Sequence, residues 1–292
     1  MTFTFLRRAH VRRRSTPTLP KLKMAPTKPT PASTSVVIPV RNNASGIGRL
    51  VRWWSALDRG DRPRELVIVD DGSITPVVTN APDCRILRTE GRGPAAARNL
   101  GWRAAVGDWV AFVDSDCLPD PSWSSSLSRG WGGEVGVQGR VRPLGDGRLS
   151  RFYESQGILR PMAWSHDGRP RYLITANALV WREALEVVGG FDESFRLAAG
   201  EDVDLGLRLS AVGTLRWCAD ASVAHEFEES VISFVRRFVR YGRGNRTLAD
   251  RLDERLRSDF RPRPFFAESG QLGDHALALV AFGSLATGWL LE

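Results

Sequence analysis

Apolar and polar positions in the first half of the chain alternate between short hydrophobic runs and longer stretches with helical spacing. Four runs have the length and β-branched content of buried strands: SVVIPV (35–40), ELVIVDD (65–71), CRILRT (84–89) and WVAFVD (109–114). Two stretches with apolar residues three and four positions apart predict helices: ASGIGRLVRWWSAL (44–57) and PAAARNLGWRAAV (94–106). Strands that alternate with helices predict an α/β fold, with a mostly parallel central sheet flanked by helices.

The second half of the chain continues this alternation. YLITANALVW (172–181) predicts a strand, and REALEVVGG (182–190) predicts a short helix that ends at a Gly-Gly turn. GEDVDLGLRL (200–209) predicts a helix whose first turn carries Glu201 and Asp202. Because the helix dipole favours negative charge there, these carboxylates are either a functional pair or an ordinary helix start.

Acidic residues stand where two of the predicted strands end. Asp70 and Asp71 end one strand, and the Asp114-Ser115-Asp116 segment ends another. Along an extended chain, residues i and i+2 point to the same side, so Asp114 and Asp116 would converge and would require a neutralising cation. The alternative is a turn, which Asp and Ser also favour. Since ligands of open α/β sheets bind beyond the carboxyl ends of the strands, we expect a floor for a divalent cation, a ribose and a base.

The segment GRGPAA (91–96) has the spacing of a dinucleotide-binding fingerprint. Gly91, Gly93 and Ala96 fit G-x-G-x-x-A after a strand, and Asp114 lies 23 positions after Gly91. An NAD(P)-dependent oxidoreductase is therefore an alternative function. Pro94 argues against it, because proline lacks the backbone N–H that a pyrophosphate would require there.

Positive charge is concentrated at the N-terminus. The formal net charge is +8, and residues 1–31 hold eight basic residues and no acidic one. Residues 32–292 hold 33 basic and 33 acidic residues, so no nucleic-acid partner is expected. Residues 1–34 predict a disordered basic arm. The arm is a targeting signal or a membrane-surface anchor, or it precedes the true start of the protein if translation begins at Met24. The three cysteines show no paired spacing, which favours a reducing, cytoplasmic location.

The last third of the chain combines a histidine, a basic segment and an apolar tail. TLRWCADASVAH (214–225) predicts a strand that ends at His225, either a metal ligand or a packing residue. FVRRFVRYGRGNRTLADRL (234–252) predicts an amphipathic helix that lies near phosphates or a membrane surface, or packs its aromatic residues on the core. The uncharged stretch 276–291 falls short of the ~20 residues of a membrane span. We expect peripheral contact with the cytoplasmic face of a membrane, although the stretch could also begin a span.

Seven ordered motifs between residues 35 and 245 resemble family 2 glycosyltransferases. They are VVIPVRN, ELVIVDDGS, GRGPAAARN, WVAFVDSDC, VGGFDE, GEDVDLGLRL and AHE. Within that family, GPAAARN, DSDC, GEDVDL and RYGRGN resemble the mycofactocin-system glycosyltransferases and their actinobacterial relatives. The resemblance implies an inverting enzyme of the GT-A fold that uses nucleotide-diphospho-sugars.

The resemblance also implies three groups of site residues. The nucleotide-sugar group, in which Asp70 recognises the base, consists of Pro39, Arg41, Asp70, Asp71, Arg98, Asn99, Asp114 and Ser115. The metal group, for Mg²⁺ or Mn²⁺, consists of Asp114, Asp116 and His225. The catalytic group consists of the general base Asp202 and its neighbour Glu201.

The chain is therefore predicted to move a sugar from a UDP-linked donor to a hydroxyl acceptor, in a metal-dependent reaction. The acceptor is a glycan, a lipid or a small redox cofactor, for which no motif can be transferred. A non-catalytic sugar-nucleotide-binding protein is the second alternative, against which the presence of both Asp116 and Asp202 argues. The predicted division is an arm (1–34), a GT-A domain (35–245), a linker or helical extension (246–275) and an apolar C-terminal segment (276–292).

Overall fold

The computed structural model describes residues 21–129, 131–161, 165–227, 230–252, 257–265 and 272–292. In the first half, strands and helices alternate as predicted. Their bounds are β1 Thr34–Val40, α1 Ala44–Ala56, β2 Glu65–Asp71, β3 Cys84–Thr89, α2 Pro94–Ala104 and β4 Trp109–Val113.

The second half adds four strands and six helices to the described part of the chain. Their bounds are β5 Cys117–Pro119, α3 Trp123–Ser128, β6 Gly136–Pro143, α4 Arg148–Ser155, β7 Asn177–Trp181, α5 Arg182–Val188, α6 Glu201–Ser210, β8 Leu215–His225, α7 Val231–Ala249 and α8 Leu272–Leu291. Single turns of 3-10 helix lie at Pro31–Ser33 and Ser258–Phe260.

The described strands form one sheet in the order β3-β2-β1-β4-β7-β6-β8-β5. β1 pairs in parallel with β2 and β4, and β2 pairs in parallel with β3. β7 lies antiparallel to β4 and β6, β8 runs parallel to β6, and β5 lies antiparallel to β8. The predicted α/β class and parallel first half are confirmed, and the later strands make the sheet mixed.

The core surrounds β1, β2 and β4, in which nearly every side chain is buried. A parallel sheet covered on both faces needs apolar residues at successive positions, which explains the unbroken apolar runs. α1 contributes Leu50 and Trp54, and the indole N–H of Trp54 donates to the Pro82 carbonyl oxygen at 2.9 Å. The carboxyl ends of these strands are thereby held on a rigid support.

An aromatic cluster lies between α4, α7 and α8. Phe152 packs on Phe234 with ring centroids 5.6 Å apart, and Tyr153 stacks on Phe238 at 6.1 Å. α8 completes the cluster with Ala278, Ala281 and Leu285. Of the two predictions for the segment 234–252, packing of its aromatic residues on the core is therefore confirmed.

One helix in the described part of the chain, Gly273–Leu291, is long and apolar enough to cross a membrane, with a mean hydropathy of 1.3. One face of this helix packs on α7, where Gly242 comes close to α8. Leu279, Leu290 and Leu291 on other faces are exposed.

The N-terminal segment has contacts with the body from residue 21 onward. The indole N–H of Trp109 donates to the Thr27 carbonyl oxygen at 3.0 Å, and the backbone N–H of Lys23 donates to Glu183. Residues 1–20 of the predicted disordered arm lie outside the described residues. The predicted domain boundaries stay predictions, although α7 continues past residue 245 as far as Ala249.

Candidate active site

A cavity of about 1000 Å³ opens beyond the carboxyl ends of four strands. Val40 of β1, Asp71 of β2 and His225 of β8 line it, as does Asp114 directly after β4. The first turn of α6 forms another wall. This is the edge of the sheet at which the sequence predicts a ligand floor.

The Asp114-Ser115-Asp116 segment forms a turn between β4 and β5. The backbone N–H of Cys117 donates to the Asp114 carbonyl oxygen at 3.0 Å. The extended-chain argument for converging carboxylates was therefore wrong, because the turn preference of Asp and Ser prevails. Both carboxylates nevertheless line the cavity.

The start of α1 supports this acidic turn. Asn43 caps α1 by accepting from the Gly46 backbone N–H at 3.0 Å, and its amide nitrogen donates to the Ser115 carbonyl oxygen at 3.2 Å. Position 46 requires glycine, because a Cβ there would collide with the same carbonyl oxygen. The helix cap and the acidic turn thus form one hydrogen-bonded unit.

Pairing of β5 with β8 brings Asp116 next to His225. Cys117 lies opposite His225 in the ladder, and Asp116 Oδ2 is 3.5 Å from His225 Nε2. Asp116 Oδ1 and His225 Nδ1 are buried, and neither has a hydrogen-bond partner among the described residues. Since unpaired buried polar atoms are costly, two of them on metal-binding side chains fit a site for a divalent cation.

The electrostatics of this site favour a cation that prefers oxygen ligands. Burial raises the pKa of Asp116, against the opposing effects of His225 and Arg237. Burial also raises the pKa of the Cys117 thiol well above its usual range, although its sulfur lies within 4.8 Å of ligand atoms of Asp116 and His225. The carboxylate oxygens of Asp114 and Asp116 are ligands that suit Mg²⁺ or Mn²⁺.

Arg98 of α2 joins the acidic turn to α6. Its guanidinium donates to Asp114 Oδ1 and to Glu201 Oε1, both at 2.8 Å, and its side chain is buried. Burial raises the pKa of Glu201 to about 7, and the charge of Asp202 acts in the same direction while Arg98 opposes it. Arg98 therefore compensates carboxylates that come from two distant parts of the chain.

Asp202 is the carboxylate of α6 best suited to accept a proton. It lines the cavity, and its Oδ2 accepts from the Thr175 backbone N–H at 3.3 Å. Burial raises its pKa, with Arg98 opposing, which moves it toward the range of an effective general base. α6 begins after Gly200, whose φ of +89° favours glycine and at which a Cβ would lie 2.9 Å from the Gly244 carbonyl oxygen.

The two aspartates at the end of β2 have different surroundings. Asp70 is 1% exposed, and it accepts hydrogen bonds from the Ser73 N–H at 2.8 Å, the Val77 N–H at 3.2 Å and the Arg88 guanidinium. Asp71 lines the cavity, whereas Asp70 does not. The predicted recognition of the base by Asp70 stays a prediction, and the geometry makes Asp71 the better candidate.

The GRGPAA loop is occupied by contacts within the protein. The backbone N–H groups of Arg92 and Gly93 donate to the two carboxylate oxygens of Asp71, at 2.8 and 2.9 Å. α2 then begins at Pro94, which has no N–H. The amides that a dinucleotide pyrophosphate would require are therefore engaged, which argues against the oxidoreductase.

The other predicted nucleotide-sugar residues divide into two groups. Pro39, Arg41 and Ser115 line the cavity. Asn99 does not line it: its side chain accepts from the Phe191 N–H at 2.9 Å and donates to the Phe191 carbonyl oxygen at 2.9 Å. Asn99 thus holds the loop after α5, and its role in donor binding stays a prediction that the geometry does not favour.

The cavity also contains arginines that the sequence did not identify as site residues. They are Arg160, Arg171, Arg196, Arg237, Arg240, Arg261 and Arg263. For Arg237 and Arg240 the sequence did give a signal, because they lie in the basic, aromatic segment 234–252, for which contact with phosphates was one of the predicted alternatives. The arginines outside that segment had no signal of their own.

Solved structures with the same fold define the class of the protein. A mannosyltransferase from Pyrobaculum calidifontis, in complex with GDP-Man and Mn²⁺, is 19% identical with a TM-score of 0.58, covering 92% of this chain and 78% of that one. TarS of S. aureus with UDP-GlcNAc is 16% identical with a TM-score of 0.55, covering 88% and 81%. The fold is that of the GT-A glycosyltransferases, as predicted.

Sequence comparison defines the family within this class. Residues 35–187 match the model of glycosyl transferase family 2, to which the chain belongs. The pre-mycofactocin glycosyltransferase of Mycobacterium tuberculosis is 34% identical over 241 residues, covering 77% of this chain. The hyaluronan synthase of Pasteurella multocida is 26% identical over 215 residues, covering 57% of this chain and 22% of that one. The chain spans about half the length of the pre-mycofactocin relative, 49%.

Asp70→Asn should destabilise the fold in a pH-dependent way. Although burial alone would favour the neutral acid, hydrogen bonds from Ser73 and Val77 and the charge of Arg88 lower the pKa of Asp70 below its ordinary 3.8. Its stabilising effect is therefore present above about pH 4 and is lost as the pH falls through the lowered value. We expect a loss of about 1–3 kcal/mol at pH 7, measured by thermal unfolding, that shrinks toward pH 3.

Asp61→Asn, at an exposed position, is the matched control and should unfold like the wild type at both pH values. A variant at position 70 with unchanged stability but lost nucleotide binding would support base recognition by Asp70 instead.

Proposed function

We propose that this chain transfers a sugar, with inversion, from a UDP-linked sugar donor to a hydroxyl acceptor. The observation that carries the proposal is one cavity that holds two separate acidic groups, the Asp114 and Asp116 turn beside His225 and the carboxylate of Asp202 on α6. A metal-binding group and a separate base are what inverting transfer requires, because no covalent nucleophile takes part.

The donor would bind at the acidic turn through a divalent cation, Mg²⁺ or Mn²⁺. Asp116 and His225 would hold the cation, since each has a buried atom without a partner among the described residues. Asp114 has one oxygen engaged by Arg98, which leaves the other for the cation or the ribose. When bound, the cation would stabilise the negative charge that develops on the leaving diphosphate.

Asp202 would accept the proton of the attacking hydroxyl. Its raised pKa supports this role, and its backbone contact with Thr175 fixes the orientation of the carboxylate. Glu201, whose Oε1 accepts from Arg98, would act as a neighbour that keeps this end of the cavity negative. Asp71 would contact the nucleotide base from the end of β2.

A non-catalytic sugar-nucleotide-binding protein is disfavoured by the same geometry. Such a protein needs the donor contacts at Asp116, but it has no use for a second acidic pair at the start of α6. Keeping Glu201 buried beside the carboxylate of Asp202 is costly, and Arg98 offsets that cost only in part. A general base that takes the proton of the acceptor hydroxyl would explain why this costly pair is present.

Asp116→Asn should abolish cation-dependent nucleotide binding. Removing even an outer partner of a metal ligand costs about 10–100-fold in affinity, so loss of a ligand should cost at least about tenfold. The measurement is calorimetric titration of UDP with and without Mn²⁺, and the thermal unfolding midpoint should stay near that of the wild type. Asp108→Asn, exposed and outside the cavity, is the matched control. Unchanged cation-dependent affinity of the variant at position 116 would rule out its role as a ligand.

Asp202→Asn should lower kcat sharply and leave donor affinity nearly intact. A proton acceptor acts in the transition state rather than in donor binding, and its loss costs about 10²–10⁴ in rate. Sugar transfer is measured beside UDP binding, with the exposed Asp220→Asn as control. A near-normal rate would move the base to Glu201.

We further propose a cytoplasmic location at the membrane surface. Support comes from the basic residues of 1–31 and from the exposed Leu279, Leu290 and Leu291 of α8, whose other side packs on α7. A basic segment and an apolar face are two weak signals that together hold a protein at a bilayer. A helix packed on one side suits contact with the surface.

Vesicles of phosphatidylserine should bind the full chain in a salt-dependent way. Each basic residue near the surface contributes about 1 kcal/mol before screening. Replacing Arg7, Arg8, Arg12, Arg13 and Arg14 with Gln should weaken co-sedimentation and leave a residual binding that resists salt. Replacing Leu290 and Leu291 with Ser should remove that residual binding. Equal binding to neutral phosphatidylcholine vesicles would contradict the role of the arm.

A further inference from the structure

Arginine residues outnumber acidic residues along the walls of the cavity. Nine arginines line it, against the six carboxylates of Asp71, Asp114, Asp116, Glu201, Asp202 and Asp259. A nucleotide diphosphate and a divalent cation carry opposite charges that offset each other when both are bound. The donor and its cation therefore leave the positive excess of the cavity uncompensated, and clefts with one sign of charge attract the opposite one.

Two of these arginines, Arg171 and Arg261, belong to segments that contact each other next to the Thr175 partner of Asp202. Arg171 is four residues before Thr175, whose N–H donates to Asp202 Oδ2, so their Cα atoms are at most about 14 Å apart. Arg261 directly follows Phe260, whose ring centroid is 6.1 Å from that of Tyr172. Arg171 and Arg261 are thus the sequence neighbours of one aromatic pair, and all four residues line the cavity.

Arg171 and Arg261 differ from the arginines beside the acidic turn in what they contact. Arg98 bonds Asp114 and Glu201, and the guanidinium of Arg237 lies 5.5 Å from the ring centroid of Phe227. No carboxylate among the described residues lies within 4.0 Å of a guanidinium nitrogen of Arg171 or Arg261. Within the described part of the chain, their guanidinium groups thus have no acidic partner, and both line the cavity.

We propose that the acceptor carries an anionic group, a phosphate or a carboxylate, which Arg171 and Arg261 bind beside the Tyr172 and Phe260 rings. Guanidinium groups bind both anions through paired, charge-assisted hydrogen bonds. The anion would anchor the acceptor so that its hydroxyl faces Asp202. This inference rests on the proposed transfer reaction and adds the chemical class of the acceptor.

Three small hydroxyl compounds that differ in charge test the inference. Glycerol 3-phosphate, glycerate and glycerol are titrated by calorimetry into the full chain, with UDP and Mn²⁺ saturating the donor site. The two anions should bind, and glycerol should bind at least about tenfold more weakly, since a hydrogen bond to a charged group contributes more than a factor of ten. The stronger of the two anions distinguishes a phosphate group from a carboxylate.

Variants then assign the binding to the two arginines. R171Q combined with R261Q should weaken binding of the preferred anion at least about tenfold, while UDP affinity stays within twofold of the wild type. R52Q removes the same charge at an exposed position of α1 and should change neither affinity. Circular dichroism and thermal unfolding of R171Q, R261Q and the double variant establish that each is folded.

Each result decides for or against the subsite. Equal binding of glycerol and the anions, or anion binding that the double variant retains, would overturn the inference. A loss of UDP affinity equal to the loss of anion affinity would also overturn it, because the arginines would then serve the donor. Mn²⁺-dependent hydrolysis of UDP-sugars by the wild type reports separately on the proposed function. Hydrolysis without a preference for anions would leave that function standing and reject only the acceptor class.

Discussion

The guanidinium of Arg98 is the interaction on which the rest of the cavity depends. It contacts Asp114 after β4 and Glu201 at the start of α6, and both partners lie close to further carboxylates. Without this charge, the Asp114 and Glu201 carboxylates would lose their shared cation, and removing one partner of a buried ion pair typically costs about 3–5 kcal/mol. Arg98 is therefore a condition for bringing the acidic turn after β4 and the acidic start of α6 into one cavity.

Close backbone contacts hold the two acidic walls in place. On one wall, the Asn43 cap of α1 bonds the Ser115 carbonyl oxygen across the space that Gly46 leaves free. On the other, Gly200 lets the chain turn into α6 against the Gly244 carbonyl oxygen of α7. In both cases a Cβ on the glycine would collide with a backbone carbonyl oxygen, so the contact requires glycine. Backbone packing thus determines the distance that the electrostatics of Arg98 then stabilise.

Much of the fold and of the acidic site could be predicted because the signals are local. The unbroken apolar runs of β1, β2 and β4 mark strands buried on both faces, and the acids that follow them mark the ligand edge of the sheet. The geometry of Asp114 and Asp116 was harder to predict, because successive side chains alternate between two sides in a strand but not in a turn. The different surroundings of Asp70 and Asp71 were not predictable from the sequence. They depend on tertiary contacts, since Arg88 donates to the Asp70 carboxylate and the Gly93 N–H donates to the Asp71 carboxylate.

The basic wall of the cavity shows why the remainder escaped prediction. Arg171 and Arg261 are 90 positions apart in the sequence, and their two segments meet in the folded chain through the Tyr172 and Phe260 rings. Long, flexible side chains of this kind usually point to solvent, so composition alone assigns them no role. Their position follows from how residues 257–265 lie against the segment before β7, a tertiary contact that carries no local signal. The presence of these arginines in one cavity with the acidic residues is therefore a property of the fold rather than of any one motif.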